Sequence, residues 1–176
     1  MNNLVPLYTS LDGRIGRKTW WLASIGLAVA VLIVEFVILT PLGLGPMLSA
    51  DPGAMAAAIH RSQWISLIVY IIVGLPILAL GVKRRHDKDN NGLDVIVFYG
   101  IALLINLAGA LGIGYTDTDI GNGTILPMPG MPLTIINILF GIFSIYLLVV
   151  LGFLKGTTGT NQYGPDPLLG GNAVAA

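Results

Sequence analysis

The segment GVKRRHDKDNNGLD, Gly81 to Asp94, concentrates charge: seven of its fourteen residues are formally charged, against eighteen Asp, Glu, Lys and Arg in the whole chain. Guanidinium and ammonium groups beside carboxylates can form ion pairs and bidentate forks, or recognise phosphate. His86 is the residue type that exchanges protons near neutrality, so any acid–base chemistry here would run through it. His86 and Asp87 are neighbours in sequence and would point to different faces of a helix. A direct His–Asp couple is therefore not expected, and their partners should come from other segments.

Two segments can supply them. LDGRIGRKTWW, Leu11 to Trp21, contributes Arg14 and Arg17. GTTGTNQYGPDPL, Gly156 to Leu168, contributes Asn161, Tyr163 and Asp166. Asp87 and Asp166 are each candidates to pair with Arg14 or Arg17. The Gly-Pro-Asp-Pro run dictates a rigid, non-helical tail, which Tyr163 could pack against the membrane face. One reading is a clasp that locks tail and loop together. The other is an anion site built from Arg14, Arg17, Lys83 and Arg84, with His86 and Asp87 beside them. Basic residues beside a membrane attract anionic lipid by about 1 kcal/mol each, which suits a phospholipid headgroup or a small phosphorylated metabolite. If helix continues past Val82, Lys83–Asp87 and Arg85–Asp89 become four-apart pairs worth about 0.2–0.5 kcal/mol each.

The elements that position these residues cross a membrane. The chain is 55% hydrophobic and 10% charged, with mean hydropathy +0.82. Soluble domains carry about 25% charged residues, so this chain could not cover a soluble surface. Four runs, at about residues 20–39, 64–82, 95–113 and 134–154, approach the ~20 residues a spanning helix needs. The expected fold is all-α: an integral membrane four-helix bundle. Residues 1–19 form an N-terminal segment, 20–154 the four-span domain and 155–176 a tail. Eight of the nine Lys and Arg (14, 17, 18, 83, 84, 85, 88 and 155) fall on the side shared by both termini and the middle loop, and only Arg61 on the other. By the positive-inside rule both termini are expected in the cytoplasm. The first run is too long for a signal peptide and ends without a small-residue cleavage site, so it reads as a retained anchor.

The outer loops are less informative. Asp51 and Pro52 suit the start of a short helix that either lies at the interface or extends span two. DTDIGNG, from Asp117, lacks the EF-hand spacing and its closing Glu, so a turn-rich loop is expected. Asn122-Gly-Thr matches a glycosylation acceptor, a triplet common by chance. Pro76 should kink or loosen span two.

Glu35 is the one carboxylate inside a span, which makes it a functional hypothesis by default. Tyr70, Asn106 and Asn137 fall in the same outer half of the other three spans. They serve either as interhelical glue or as a polar route for a proton or small solute. Nucleic-acid attraction is not implied, because formal net charge is zero. With no cysteine and two histidines, no metal or other cofactor is expected. No hydrolase, zincin or phosphate-loop signature occurs.

In order, GRIGRKTWW, VKRRHDKDNNG and GTTGTNQYGPDPL resemble domain-of-unknown-function family 805, small bacterial inner-membrane proteins. The resemblance runs from about Leu11 to Leu168. It rests on Gly13, Arg14, Arg17, Trp20 and Trp21, then Lys83, Arg84, His86, Asp87 and Gly92, then Gly159, Asn161, Tyr163, Gly164, Pro165, Asp166 and Pro167. Arg85 stands where the family usually has an aliphatic residue, and Leu93 where it often has an aromatic. The resemblance implies a multi-pass inner-membrane protein and no particular activity. The expected function is non-enzymatic: a cytoplasmic basic face that binds anionic phospholipid or a membrane protein partner. The alternative is a small-solute or proton transporter using Glu35.

Overall fold

The computed structural model describes residues 4–41, 52–119, 121 and 125–169. The helices are α1 (Leu4–Thr9), α2 (Arg17–Ile33), α3 (Pro52–His86), α4 (Leu93–Ala110) and α5 (Met131–Leu148). α2 runs on into a π-helical turn, Val34–Leu39, and α5 into another, Val149–Phe153. Four stretches are long and apolar enough to cross a membrane: Arg17–Val37, Ala57–His86, Leu93–Ala110 and Met131–Phe153. Large apolar side chains on them stay open, among them Ile72 at 70%, Leu104 at 66% and Ile145 at 63% exposure. Soluble proteins rarely leave apolar surface so continuous. Here it is the surface that lipid covers.

Of the two alternatives for the first outer loop one is met, and the expectation for the second loop changes. The short helix anticipated before span two is the start of α3 itself, which carries Pro76 within it. The loop after span three is not merely turn-rich. Tyr115–Asp119 (β1) and Ile125–Pro129 (β2) pair antiparallel, with Tyr115 opposite Pro129 and Asp119 opposite Ile125. A two-stranded hairpin has only edges, so Pro127 and Pro129 need not donate to a ladder. Asp51 and Asn122, the proposed cap and acceptor, lie outside the described residues.

The chain divides into two compact units. One comprises residues 1–28, 73–99 and 143–176, the other 29–72 and 100–142. The first unit has a core of Ile15, Trp20, Ala23, Leu80, Val82, Val95, Leu147 and Leu151, flanked by Trp21, Phe98 and Phe143. It contains all three polar segments singled out above. The second contains the hairpin, where the Gly130 amide donates to the Gly114 carbonyl at 2.7 Å.

Candidate functional site

α3 ends at His86, and four basic residues fill its last turn. Cations there complement the negative end of the helix dipole. The Asp87 amide still donates to the Lys83 carbonyl at 3.1 Å, one turn back, but its carboxylate turns to Arg14 and Arg84. Asp89 has φ 56°, and the anticipated four-apart pairs do not form. Lys83 instead donates to the carbonyls of Pro6 and Leu7. Arg85, the departure from the family pattern, pairs with Asp94 at 3.0 Å.

Asp87 sits between two arginines. Its Oδ1 accepts from Arg14 Nε and Nη2 at 3.2 and 3.0 Å, and its Oδ2 accepts from Arg84. The Arg14, Arg84 and Asp87 side chains are 1%, 0% and 6% exposed. Such burial is tolerable only when every charged atom has a partner. The remaining Arg14 donors go to the carbonyls of Thr157 (2.7 Å), Gly159 (2.8 Å) and Gly164 (3.2 Å). The other Arg84 donors go to the carbonyls of Leu151 (2.7 Å) and Leu154.

These last acceptors lie within and just after the second π-helical turn. The final carbonyls of a helix lack intrahelical donors. At the end of α5 they are met from outside: Arg84 on Leu151 and Leu154, the Trp21 indole N–H on Gly152 at 3.1 Å, and Arg17 on Phe153 at 3.0 Å. Trp21 also packs edge-on to Trp20 and Phe153. Guanidinium groups at this end also complement the negative end of the helix dipole.

The tail is tied to the same centre. The Thr157 amide donates to the Asp87 carbonyl at 2.7 Å, and Asn161 Nδ2 to the His86 carbonyl at 2.9 Å. The Tyr163 ring stacks on the His86 imidazole, 3.8 Å apart and 5° from parallel. His86 Nδ1 lies 3.1 Å from the Gly13 carbonyl, so that nitrogen carries the proton. Gly13 reaches this position with φ 89°, which a side chain would disfavour. Gly156 is required for a different reason: a Cβ there would run into the Asp87 carboxylate and backbone. Asp166 does not pair with an arginine through a direct bond. It accepts the amides of Gly159 and Leu168, both at 2.9 Å. Those two hydrogen bonds hold its carboxyl below the usual range, with a smaller push from the charge of Arg14.

Of the four cations weighed as an anion site, Arg14 and Arg84 are thus engaged inside the protein and Lys83 holds α1. Arg17 has only one donor committed. It lines a cavity of about 580 Å³ with Gly16, Lys18, Lys155, Gly156, Thr157, Thr158, Leu168 and the carboxylates of Asp87 and Asp166. Lys18 and Lys155 are exposed, and neither has an ionic or hydrogen-bonding side-chain partner among the described residues. Sequence reasoning left these two as topology signals. Their signal was position, at the first turn of span one and just after span four. Thr157 and Trp21 were also missed as hydrogen-bonding partners: Trp21 and the Thr157 hydroxyl donate to backbone carbonyls, which residue type does not mark.

Glu35, Tyr70, Asn106 and Asn137 all belong to the second unit. Glu35 is half-buried in the first π-helical turn, while residues 32–34 and 36–37 around it are exposed. The Asn106 amide donates to Ala102, one turn back on its own helix, at 2.9 Å. Asn137 is exposed.

Comparison with known proteins agrees with this architecture. The family model described as protein of unknown function (DUF805) matches residues 8–165. The inner membrane protein YhaI of Escherichia coli K12 is 23% identical over 165 residues, covering 94% of this chain and 92% of that protein. Its counterpart of the same name in E. coli O157:H7 matches to the same extent. No solved structure matches. With four helices able to span, this chain is a multi-pass protein of the bacterial inner membrane.

Proposed function

We propose, from the premise that this chain belongs to the DUF805 family of proteins of unknown function, that its charged end binds anionic phospholipid and that it is not an enzyme. The carrying observation is the cavity lined by Arg17, Lys18 and Lys155. Its two carboxylates do not neutralise these cations, because the charges of Asp87 and Asp166 are offset by Arg14 and Arg84: Asp87 pairs with both, and Asp166 lies in the field of Arg14. α2 has no acidic residue in its first turn and begins with Arg17 and Lys18. Cations at the positive end of a helix dipole are unfavourable, and an external anion there would relieve the conflict. The cavity lies at the ends of two spans, where headgroups sit. Trp21 is close by, and Phe153, Leu154 and Leu22 are exposed beside it at 60%, 45% and 63%. An acyl chain could lie along them.

Eight of the nine Lys and Arg belong to the segments at this end, which supports a cytoplasmic location on the positive-inside rule. Binding by the buried arginines is not part of the proposal; they hold the loop and the tail that frame the cavity. The test is native mass spectrometry of protein released from mild detergent, wild type beside a Lys18→Gln, Lys155→Gln variant. Neither lysine has a structural partner, so the variant should melt as wild type does. Wild type should carry a phosphate-containing lipid that the variant loses. Equal retention, or no lipid on either, would overturn the reading.

A further inference from the structure

The lipid-binding reading leaves open which headgroup the cavity suits, and the charge count favours one class. Three cations, Arg17, Lys18 and Lys155, line it without being matched. The neighbouring carboxylates, Asp87 and Asp166, are balanced by two other guanidiniums, Arg14 and Arg84, and two backbone amides hold Asp166 in place. A phosphodiester headgroup brings one negative charge and two free oxygens. A phosphomonoester brings about 1.5 to 2 charges at neutral pH and three free oxygens. Three separate cationic side chains can each meet one of three oxygens, and a second negative charge uses a field that a monoanion leaves unspent. A volume of about 580 Å³ exceeds a bare phosphate. It lies in the range of about 300–1,000 Å³ typical of small-ligand pockets, so a glycerol backbone fits as well.

We infer that the cavity is a phosphomonoester site, and that the phosphomonoester it takes from the membrane is a lipid of the phosphatidic-acid class. The inference rests on the lipid-binding reading and narrows it. Both groups of reporters are removable without touching the core, because Lys18 and Lys155 are exposed.

The experiment is a titration of delipidated protein in detergent with short-chain phosphatidic acid and, separately, phosphatidylglycerol, read by native mass spectrometry. Soluble sn-glycerol 3-phosphate serves as competitor. Phosphatidic acid should bind about tenfold or more tightly than phosphatidylglycerol, from one added charge contact at short range. Lys155→Gln should bring the two lipids to within about twofold, as one matched charge is removed. Equal affinity of wild type for both lipids would overturn the phosphomonoester assignment and leave lipid binding standing. Binding of neither would overturn both. Full displacement by micromolar glycerol phosphate would support the phosphomonoester chemistry and overturn the membrane as its source.

Discussion

The unit that holds both terminal segments carries eight Lys and Arg against five Asp, while the other carries Arg61 against Glu35 and three Asp. In the first, charge is structural. Arg14, Arg84 and Asp87 are almost fully enclosed, and backbone carbonyls from the tail and the end of α5 complete their hydrogen bonding. In the second, polar groups have few ties on display. Asn106 bonds within its own helix, Asn137 is exposed, and no described side chain meets the Glu35 carboxylate with a hydrogen bond or ion pair. One unit therefore uses polar groups to fix the chain's own loops. The lesson is that a basic residue beside a membrane need not be a lipid contact: burial and satisfied donors separate those that hold the fold from those left to meet a ligand.

The comparison can be broken most forcefully at Asp87. Asp87→Ala leaves two buried guanidiniums without their carboxylate. Removing one partner of a buried ion pair costs about 3–5 kcal/mol, or roughly 6–20 °C in Tm for a chain of this size. Thermal unfolding in detergent, followed by far-ultraviolet circular dichroism, measures it. A shift of under a degree would mean that the arginines find other partners. The smallest effect is expected in the other unit. Glu35→Gln keeps shape and replaces a carboxyl that no described side chain meets, so stability should move by no more than about 0.5 kcal/mol. The same melting curve checks it, and a loss comparable to that of Asp87→Ala would show that the second unit also depends on a hidden charge pair.

Much of this was legible in the residues. Apolar runs located the four spans, and the positions of the three polar segments implied that they meet. Residue types suggested that Asp87 and Asp166 each pair with Arg14 or Arg17; Arg14 is the partner of Asp87, and Asp166 takes backbone amides instead. What was not legible has a common cause. Arg84 bonds to carbonyls of Leu151 and Leu154, and Arg14 to those of Thr157, Gly159 and Gly164, yet a carbonyl is the same whatever residue carries it. Nothing in the side-chain sequence marked these acceptors. For that reason the buried arginines looked as available to an anion as Arg17. Likewise, Lys83–Asp87 spacing suggested a helical pair, but Asp87 is taken by Arg14 and Arg84 and Lys83 by carbonyls of α1. The hairpin was missed because Pro127 and Pro129 argue against a strand in any sheet with more than edges.

Arg14 bonds the tail, whereas Lys18 and Lys155 have no side-chain partner among the described residues. Hydrogen–deuterium exchange of residues 156–168 tests it most directly, comparing wild type with Arg14→Lys and with Lys18→Gln, Lys155→Gln. Lysine keeps the charge but lacks the planar fork that reaches Asp87, Thr157, Gly159 and Gly164 together. The account predicts that Arg14→Lys lowers protection of tail amides such as Thr157, Asn161 and Leu168 by about tenfold, matching the loss of at least 1.4 kcal/mol of net bonding, while the double lysine variant exchanges as wild type does. Unchanged protection in Arg14→Lys, or loss of protection in the double variant, would contradict it.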